Sequence, residues 1–65
     1  MAYLTQLRVR TAAAMLQQSE ESITQIGLAV GFGSPGYFGQ VFRQFTGLSP
    51  RAYRQKLREE TAYLR

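Results

Sequence analysis

Apolar residues recur three and four positions apart along this 65-residue chain, in four segments separated by polar or glycine-containing turns. This spacing predicts four helices. The first covers about residues 3–17 and carries two adjacent apolar stripes: Leu4, Leu7, Thr11, Ala14 and Met15, and then Val9, Ala12, Ala13 and Leu16. Together the stripes form a face wider than one small neighbour needs. Either this helix is simply rich in alanine, which helices tolerate, or it packs on two sides and one neighbour lies outside the chain.

A short second helix is predicted from Ile23 to Val30. Ser22 and Gln25 fit the capping box, in which a serine and a glutamine side chain satisfy backbone N–H groups at the helix start. Gly27 lies inside this helix, where glycine costs roughly 1 kcal/mol relative to alanine. We therefore expect another helix to approach closely at Gly27.

A turn and a third helix follow. Gly31 is expected to end the second helix in the left-handed conformation, with Phe32 entering the core. Ser34, followed by proline, then starts a helix that is predicted to reach Thr46. One face of this helix carries Phe38, Val41, Phe42 and Phe45, and the opposite face carries Gly36, Tyr37, Gly39, Gln40, Arg43 and Gln44. The first set should face the core and the second set the solvent.

The last helix repeats the serine-proline start. Gly47 is expected to end the third helix, and Ser49 caps a final helix predicted from Pro50 to Ala62. The inward positions are expected to be Tyr53, Leu57 and, at the end, Leu64. The chain is therefore predicted to be a single small all-α domain. It divides into a first helix at residues 1–18, a helix-turn-helix unit at 22–47 and a C-terminal helix at 49–64.

Charge points to a polyanionic partner. The net charge is +4 and the isoelectric point is about 10.1. Of the eight basic residues, five lie close together in the sequence: Arg43, Arg51, Arg54, Lys56 and Arg58. Such a cluster suits nucleic acid, although a basic surface that is merely solvated is the alternative.

The composition argues against catalysis. The chain has neither cysteine nor histidine, which excludes zinc sites built on those residues and also Ser-His or Cys-His nucleophile pairs. Residues 31–36 match G-x-G-x-x-G, but they follow a predicted helix where the dinucleotide motif requires a strand. We predict no enzyme, no cofactor and no metal. No apolar run approaches the roughly 20 residues of a membrane span, and the N-terminus lacks the apolar core of a signal peptide, so we expect a cytoplasmic protein.

The same residues carry a family pattern. Its positions are Ile23, Ile26, Gly31, Phe32, Ser34, Tyr37, Phe38, Phe42, Gly47, Ser49, Pro50, Tyr53 and Arg54. This pattern resembles the signature of the AraC/XylS family of bacterial transcription regulators, and the spacing agrees at every one of these positions. One departure is Gly27, which stands where the family usually has alanine and which should loosen the second helix.

The resemblance implies an architecture. Residues 3–17 would be the helix that links two helix-turn-helix units, and the homeodomain-like unit at 22–47 would be the second of them. Its later helix would be the recognition helix, which enters the major groove of double-stranded DNA. The first unit, and any effector-binding or dimerisation domain, would be missing from this chain. The implied function is sequence-specific DNA binding within a bacterial transcription regulator.

Candidate contact residues follow from the recognition helix and its surroundings. The base-contact candidates are Gln40, Tyr37 and Gly36, and the phosphate-contact candidates are Ser34, Arg43, Arg51 and Arg54. Gln40 can pair with adenine, or it can be an ordinary exposed glutamine. Tyr37 could contact DNA or pack against the turn. Arg54 could contact a phosphate or fix the last helix to the core.

A different function class remains open from the sequence. The basic, glycine-rich surface could instead be a protein-interaction module with little DNA affinity of its own. It would then contact RNA polymerase or another domain of the same regulator. Loss of binding to random duplex at rising salt would indicate DNA, and absent binding even at low salt would indicate the interaction module.

Overall fold

The computed structural model describes the backbone of residues 2–64 and the side chains of residues 3–60. Within that range the elements are α1 at Ala2–Gln18, α2 at Ile23–Ala29, α3 at Pro35–Thr46 and α4 at Pro50–Leu64. These residues form no strand, and the predicted all-α fold is confirmed. α1 packs against each of the other helices, and α3 also packs against both α2 and α4.

Local hydrogen bonds explain where the helices begin. A serine hydroxyl oxygen at the start of each later helix accepts an N–H bond from the residue three positions further on. The donors and distances are Gln25 to Ser22 at 3.1 Å, Tyr37 to Ser34 at 3.2 Å, and Ala52 to Ser49 at 3.2 Å. Among the described residues no side-chain bond returns from Gln25 to Ser22, so only half of the predicted capping box forms.

The turn between α2 and α3 is closed by two backbone bonds. The N–H of Gly31 donates to the carbonyl of Leu28 at 3.1 Å, and that of Phe32 donates to the carbonyl of Gly27 at 2.9 Å. This is the Schellman pattern, which requires the left-handed φ of 105° that Gly31 adopts. The turn delivers Phe32 into the core, where 4% of it remains exposed. Both predictions for this turn are confirmed.

Gly27 is where α2 and α3 come closest. A Cβ atom at this position would lie 2.7 Å from Cδ2 and 2.9 Å from Cγ of the Phe38 ring. Real Cβ atoms do not approach other atoms so closely, so any larger residue here must displace a fully buried ring. The predicted close approach of a helix to Gly27 is confirmed, and α3 is that helix.

The core is small and mostly aromatic on the α3 side. Its buried members are Val9, Ala12, Leu16, Ile26, Phe32, Phe38, Val41 and Phe42. The rings form a connected series, with centroid separations of 5.1 Å for Phe32–Phe38, 5.7 Å for Phe38–Phe42 and 5.2 Å for Phe42–Tyr53. Separations in this range are typical of favourable tilted and edge-to-face ring contacts. The α2–α3 unit is therefore held from within by one stack of rings.

α1 buries one of its two predicted stripes in this packing, and Met15 is the member of the other stripe that packs against the core. Val9, Ala12 and Leu16 are buried, whereas Leu4 and Leu7 are each 46% exposed. An alanine-rich composition does not explain why two leucines at helical spacing are half exposed to solvent. The described part of the chain thus covers α1 on one side.

One core prediction is wrong. Phe45 was expected to face inward with the other rings of α3, but 44% of it is exposed. It lies in the last turn of α3, beside an open groove of about 220 Å³ that α1 lines with Gln6, Val9, Arg10 and Ala13. The predicted place of the Leu64 side chain lies outside the described residues.

Candidate nucleic-acid interface

An open groove of about 560 Å³ runs along the outward face of α3. It is lined by Pro35, Gly36, Gly39, Gln40, Arg43, Gln44 and, from the start of α4, Ser49. Gly36, Gln40 and Arg43 follow one another by four and three residues, which places them on one side of the helix. Phe38 and Phe42 are fully buried on the other side. The predicted division of α3 into an inner and an outer face is therefore correct here.

Gln40 lies on a part of α3 where Gly36 and Gly39 contribute no side chain. Its side chain is exposed, and it makes no hydrogen bond within the described residues. A Cβ atom added at Gly36 or Gly39 would meet nothing within 4 Å. The amide of Gln40 is consequently the one group on the first two turns of this groove that could read a base edge in the bidentate manner.

Tyr37 packs against the turn while remaining accessible. Its ring centroid lies 5.8 Å from that of Phe32, with the planes tilted by 59°, and 55% of the residue is exposed. Of the roles considered for Tyr37, the packing role is thus present. The exposed part of the ring leaves its DNA-contact role as a prediction.

Two of the candidate arginines keep their donors free. Arg43 and Arg51 are exposed, and in the described part of the chain their guanidinium groups make no hydrogen bond and no ion pair. Ser34, another phosphate-contact candidate, already uses its hydroxyl oxygen to cap α3. A guanidinium group carries five N–H donors in a fixed fork, so Arg43 in the α3 groove and Arg51 on α4 can each bind an anion.

Arg54 has a structural role. It is half-buried, and its Nε donates to the carbonyl of Leu16 at 3.3 Å while its Nη2 donates to that of Ser19 at 3.1 Å. Carbonyls at the end of α1 have no helical partner, and a cation suits that end of the helix dipole. Arg54 thus fixes α4 to α1, which is one of the two roles left open by the sequence, and its phosphate contact remains a prediction.

Arg58 was not among the candidate site residues. It lines a second depression, of about 290 Å³, together with Ile23, Arg51, Arg54 and Gln55. Its Nη2 donates to Oε1 of Glu20 at 2.7 Å across the surface. The spacing of three, four and seven residues after Arg51 was the available signal for this face of α4.

Five of the seven candidate residues fall in two places, and Tyr37 and Ser34 line neither of them. Gly36, Gln40 and Arg43 line the α3 groove, whereas Arg51 and Arg54 line the second depression. Over the part of the chain that the structure describes, no group of three or more Asp, Glu, His or Cys residues could hold a metal ion. Across the same residues, no helix combines the length and apolar character needed to cross a membrane.

Comparison with known proteins identifies the family. Residues 1–56 match the family described as a helix-turn-helix domain. The chain belongs to the AraC/XylS family. It is 41% identical over 61 residues to the HTH-type transcriptional regulator ArgR of Pseudomonas aeruginosa, which covers 94% of the chain and 18% of ArgR.

Two further relatives agree. The MmsAB operon regulatory protein of Pseudomonas aeruginosa is 40% identical over 53 residues, covering 82% of the chain and 17% of that protein. The HTH-type transcriptional activator RhaR of Yersinia pestis is 41% identical over 54 residues, covering 83% of the chain and 19% of RhaR. The chain thus spans about a fifth of the length of these relatives. No solved structure matches it significantly.

The family membership sets the function class. AraC/XylS relatives are helix-turn-helix transcription regulators, which bind DNA and are not enzymes.

Proposed function

We propose that this chain binds duplex DNA in a sequence-dependent manner, with α3 lying in the major groove. The observation that carries the proposal is the outward face of α3. Gln40 and Arg43 project there from a helix whose other face is locked by the fully buried rings of Phe38 and Phe42. A helix held this firmly from behind can present its outer side chains to base edges in fixed register.

Affinity and specificity come from different residues in this proposal. Arginines contact phosphates and supply binding that weakens with salt, because each neutralised phosphate releases condensed cations. Gln40 reads one base pair, and a good bidentate contact of that kind is worth about 1–3 kcal/mol of discrimination. Since Gly36 and Gly39 present no side chain, this unit alone discriminates weakly between sequences. The remainder rests on DNA shape and on a second reading unit.

The uncovered stripe of α1 is where such a second unit would pack. Leu4 and Leu7 are half exposed at helical spacing, and the curated relatives are about five times as long as the chain. The AraC/XylS resemblance implies another helix-turn-helix unit joined through this helix. We propose that it covers Leu4 and Leu7, and that an effector or dimerisation domain belongs to the remaining length.

Salt-dependent binding tests the proposal directly. The association constant for a random-sequence duplex is measured from 50 to 200 mM salt by fluorescence anisotropy. We expect its logarithm to fall linearly with the logarithm of salt concentration, and Arg43→Ala to reduce the slope by about 0.9, the value for one phosphate contact. Gln18→Ala, on the exposed end of α1, is the control and should change nothing. No binding at 50 mM salt, or an unchanged slope for Arg43→Ala, would contradict the proposal.

A protein-interaction module is the second candidate function. The observation that favours it is Phe45, which remains 44% exposed over an open groove that Arg10 and Tyr53 also line. An exposed ring beside a concave apolar surface is a common feature of protein interfaces. RNA polymerase, or another domain of the same regulator, is the partner in this case. Absence of duplex binding at low salt together with retained folding would favour this function.

A further inference from the structure

One face of α4 concentrates positive charge at a distance from the recognition helix. Arg51, Arg54 and Arg58 recur at intervals of three and four residues and line one depression with Gln55 and Ile23. Ser49, which caps α4, lines the α3 groove, and Arg51, in the first turn of α4, lines the depression, so both surfaces include a residue from the start of α4.

The three arginines of this face are in different states. Arg54 is committed to the carbonyls of Leu16 and Ser19. Arg51 has no hydrogen bond or ion pair within the described residues. Arg58 is held by one nitrogen to a Glu20 carboxylate, in a pair whose side chains are 60% and 89% exposed. The face thus carries one free guanidinium and one that is weakly held, since ion pairs this exposed add little stability.

We propose that Arg51 and Arg58 form a second phosphate-binding site for the duplex backbone, and that Glu20 occupies Arg58 until DNA displaces it. The proposal rests on the DNA-binding function proposed above. A phosphodiester offers the guanidinium of Arg58 the same paired oxygen acceptors as the Glu20 carboxylate, so one can replace the other without loss of hydrogen bonds. Glu20 then acts as a built-in competitor that lowers affinity for every duplex equally.

The proposal predicts opposite effects from the two partners of the ion pair. Arg58→Gln removes one phosphate contact, so the salt slope should fall by about 0.9 and the affinity deficit should grow about 3.5-fold between 200 and 50 mM salt. Glu20→Gln removes the competitor, so affinity for a random duplex should rise about 1.4- to 5-fold, the range expected for breaking an exposed ion pair. The slope should stay unchanged, because Arg58 contacts the phosphate in both proteins.

Matched controls separate contact from net charge. Lys56→Gln removes the same charge as Arg58→Gln from another face of α4, and Glu21→Gln removes the same charge as Glu20→Gln one residue away. Both controls should shift affinity less than the test variants. In the Arg58→Gln background, Glu20→Gln should gain no more than Glu21→Gln gains. All these positions are exposed, and circular dichroism confirms that each variant is folded before binding is measured.

The outcomes distinguish this inference from the proposed function. If the unmodified chain shows salt-dependent binding that Arg43→Ala weakens, while Arg58→Gln leaves the slope unchanged, the second site is wrong and the α3 interface stands. If Glu20→Gln raises affinity no more than Glu21→Gln, Glu20 is not a competitor. If the unmodified chain binds no duplex at 50 mM salt, both the proposed function and this site fail together.

Discussion

Gly27 in α2 and Gly39 in α3 are both helical glycines, and their surroundings are opposite. A Cβ atom at Gly27 would run into the Phe38 ring at 2.7 Å, whereas one at Gly39 would meet nothing. The inner side of the α2–α3 unit, at Gly27, is thus filled by packed atoms, and its outer side, at Gly39, has no atom within 4 Å of the added Cβ. Helical glycine costs roughly 1 kcal/mol relative to alanine, and packing explains Gly27, whereas no contact among the described residues explains Gly39.

The largest effect should come from the filled side. Phe42→Ala removes a fully buried ring that contacts both Phe38 and Tyr53. Phe truncations in a core cost about 3–5 kcal/mol, and a domain of this size has little stability in reserve, so we expect the variant to be unfolded at 25 °C. Thermal melting followed by circular dichroism measures this. A cooperative transition that persists in the variant would show that the ring stack does not hold the unit together.

Gly27→Ala should destabilise the domain, although alanine is the better helix former. The gain in helix propensity is about 1 kcal/mol, whereas overpacking against a buried ring typically costs about 1–3 kcal/mol, so we expect a net loss near 1 kcal/mol. Urea denaturation gives the free energy of unfolding. Gly39→Ala provides the check, because the same change at a helical position with open space around it should not be harmful. Equal losses at the two positions would mean that the close approach to Phe38 is not what requires glycine at position 27.

Gly39→Ala is the matched change on the empty side, and it should stabilise. With no atom within reach of the new methyl group, the helix propensity acts alone, and we expect a gain of about 0.5–1 kcal/mol in the same denaturation experiment. If α3 lies against DNA as proposed, the methyl group should also weaken duplex binding. A variant that is less stable than the original chain would break the contrast between the two glycines.

Gln40→Ala should have the smallest effect on stability and the most specific effect on binding. Gln40 is exposed and makes no hydrogen bond in the described chain, so the free energy of unfolding should change by less than about 0.5 kcal/mol. Selection of binding sites from random duplexes should then lose preference at one base pair. An unchanged selected sequence would remove Gln40 as a base reader.

Much of this molecule was predictable because it is local. The serine caps, the left-handed glycine between α2 and α3, and the division of α3 into two faces depend on residues three to five apart, and they appear as expected except for Phe45 and for the returning bond of Gln25. Short-range hydrogen bonds and helical periodicity need no knowledge of the rest of the fold. The residues that carry the family pattern include these caps, the glycine turn and the buried face of α3, which is why the function class could also be predicted from the sequence.

The tertiary structure decided what depends on distant partners. Arg54 finds its acceptors at Leu16 and Ser19, and Arg58 finds Glu20, all 35 to 38 residues away. Phe45 continues the aromatic spacing of α3, yet it is half exposed because an open groove remains between it and α1. Helical spacing determines the direction in which a side chain points. Whether it meets a hydrogen-bond acceptor or a covering side chain there depends on how the separate helices pack.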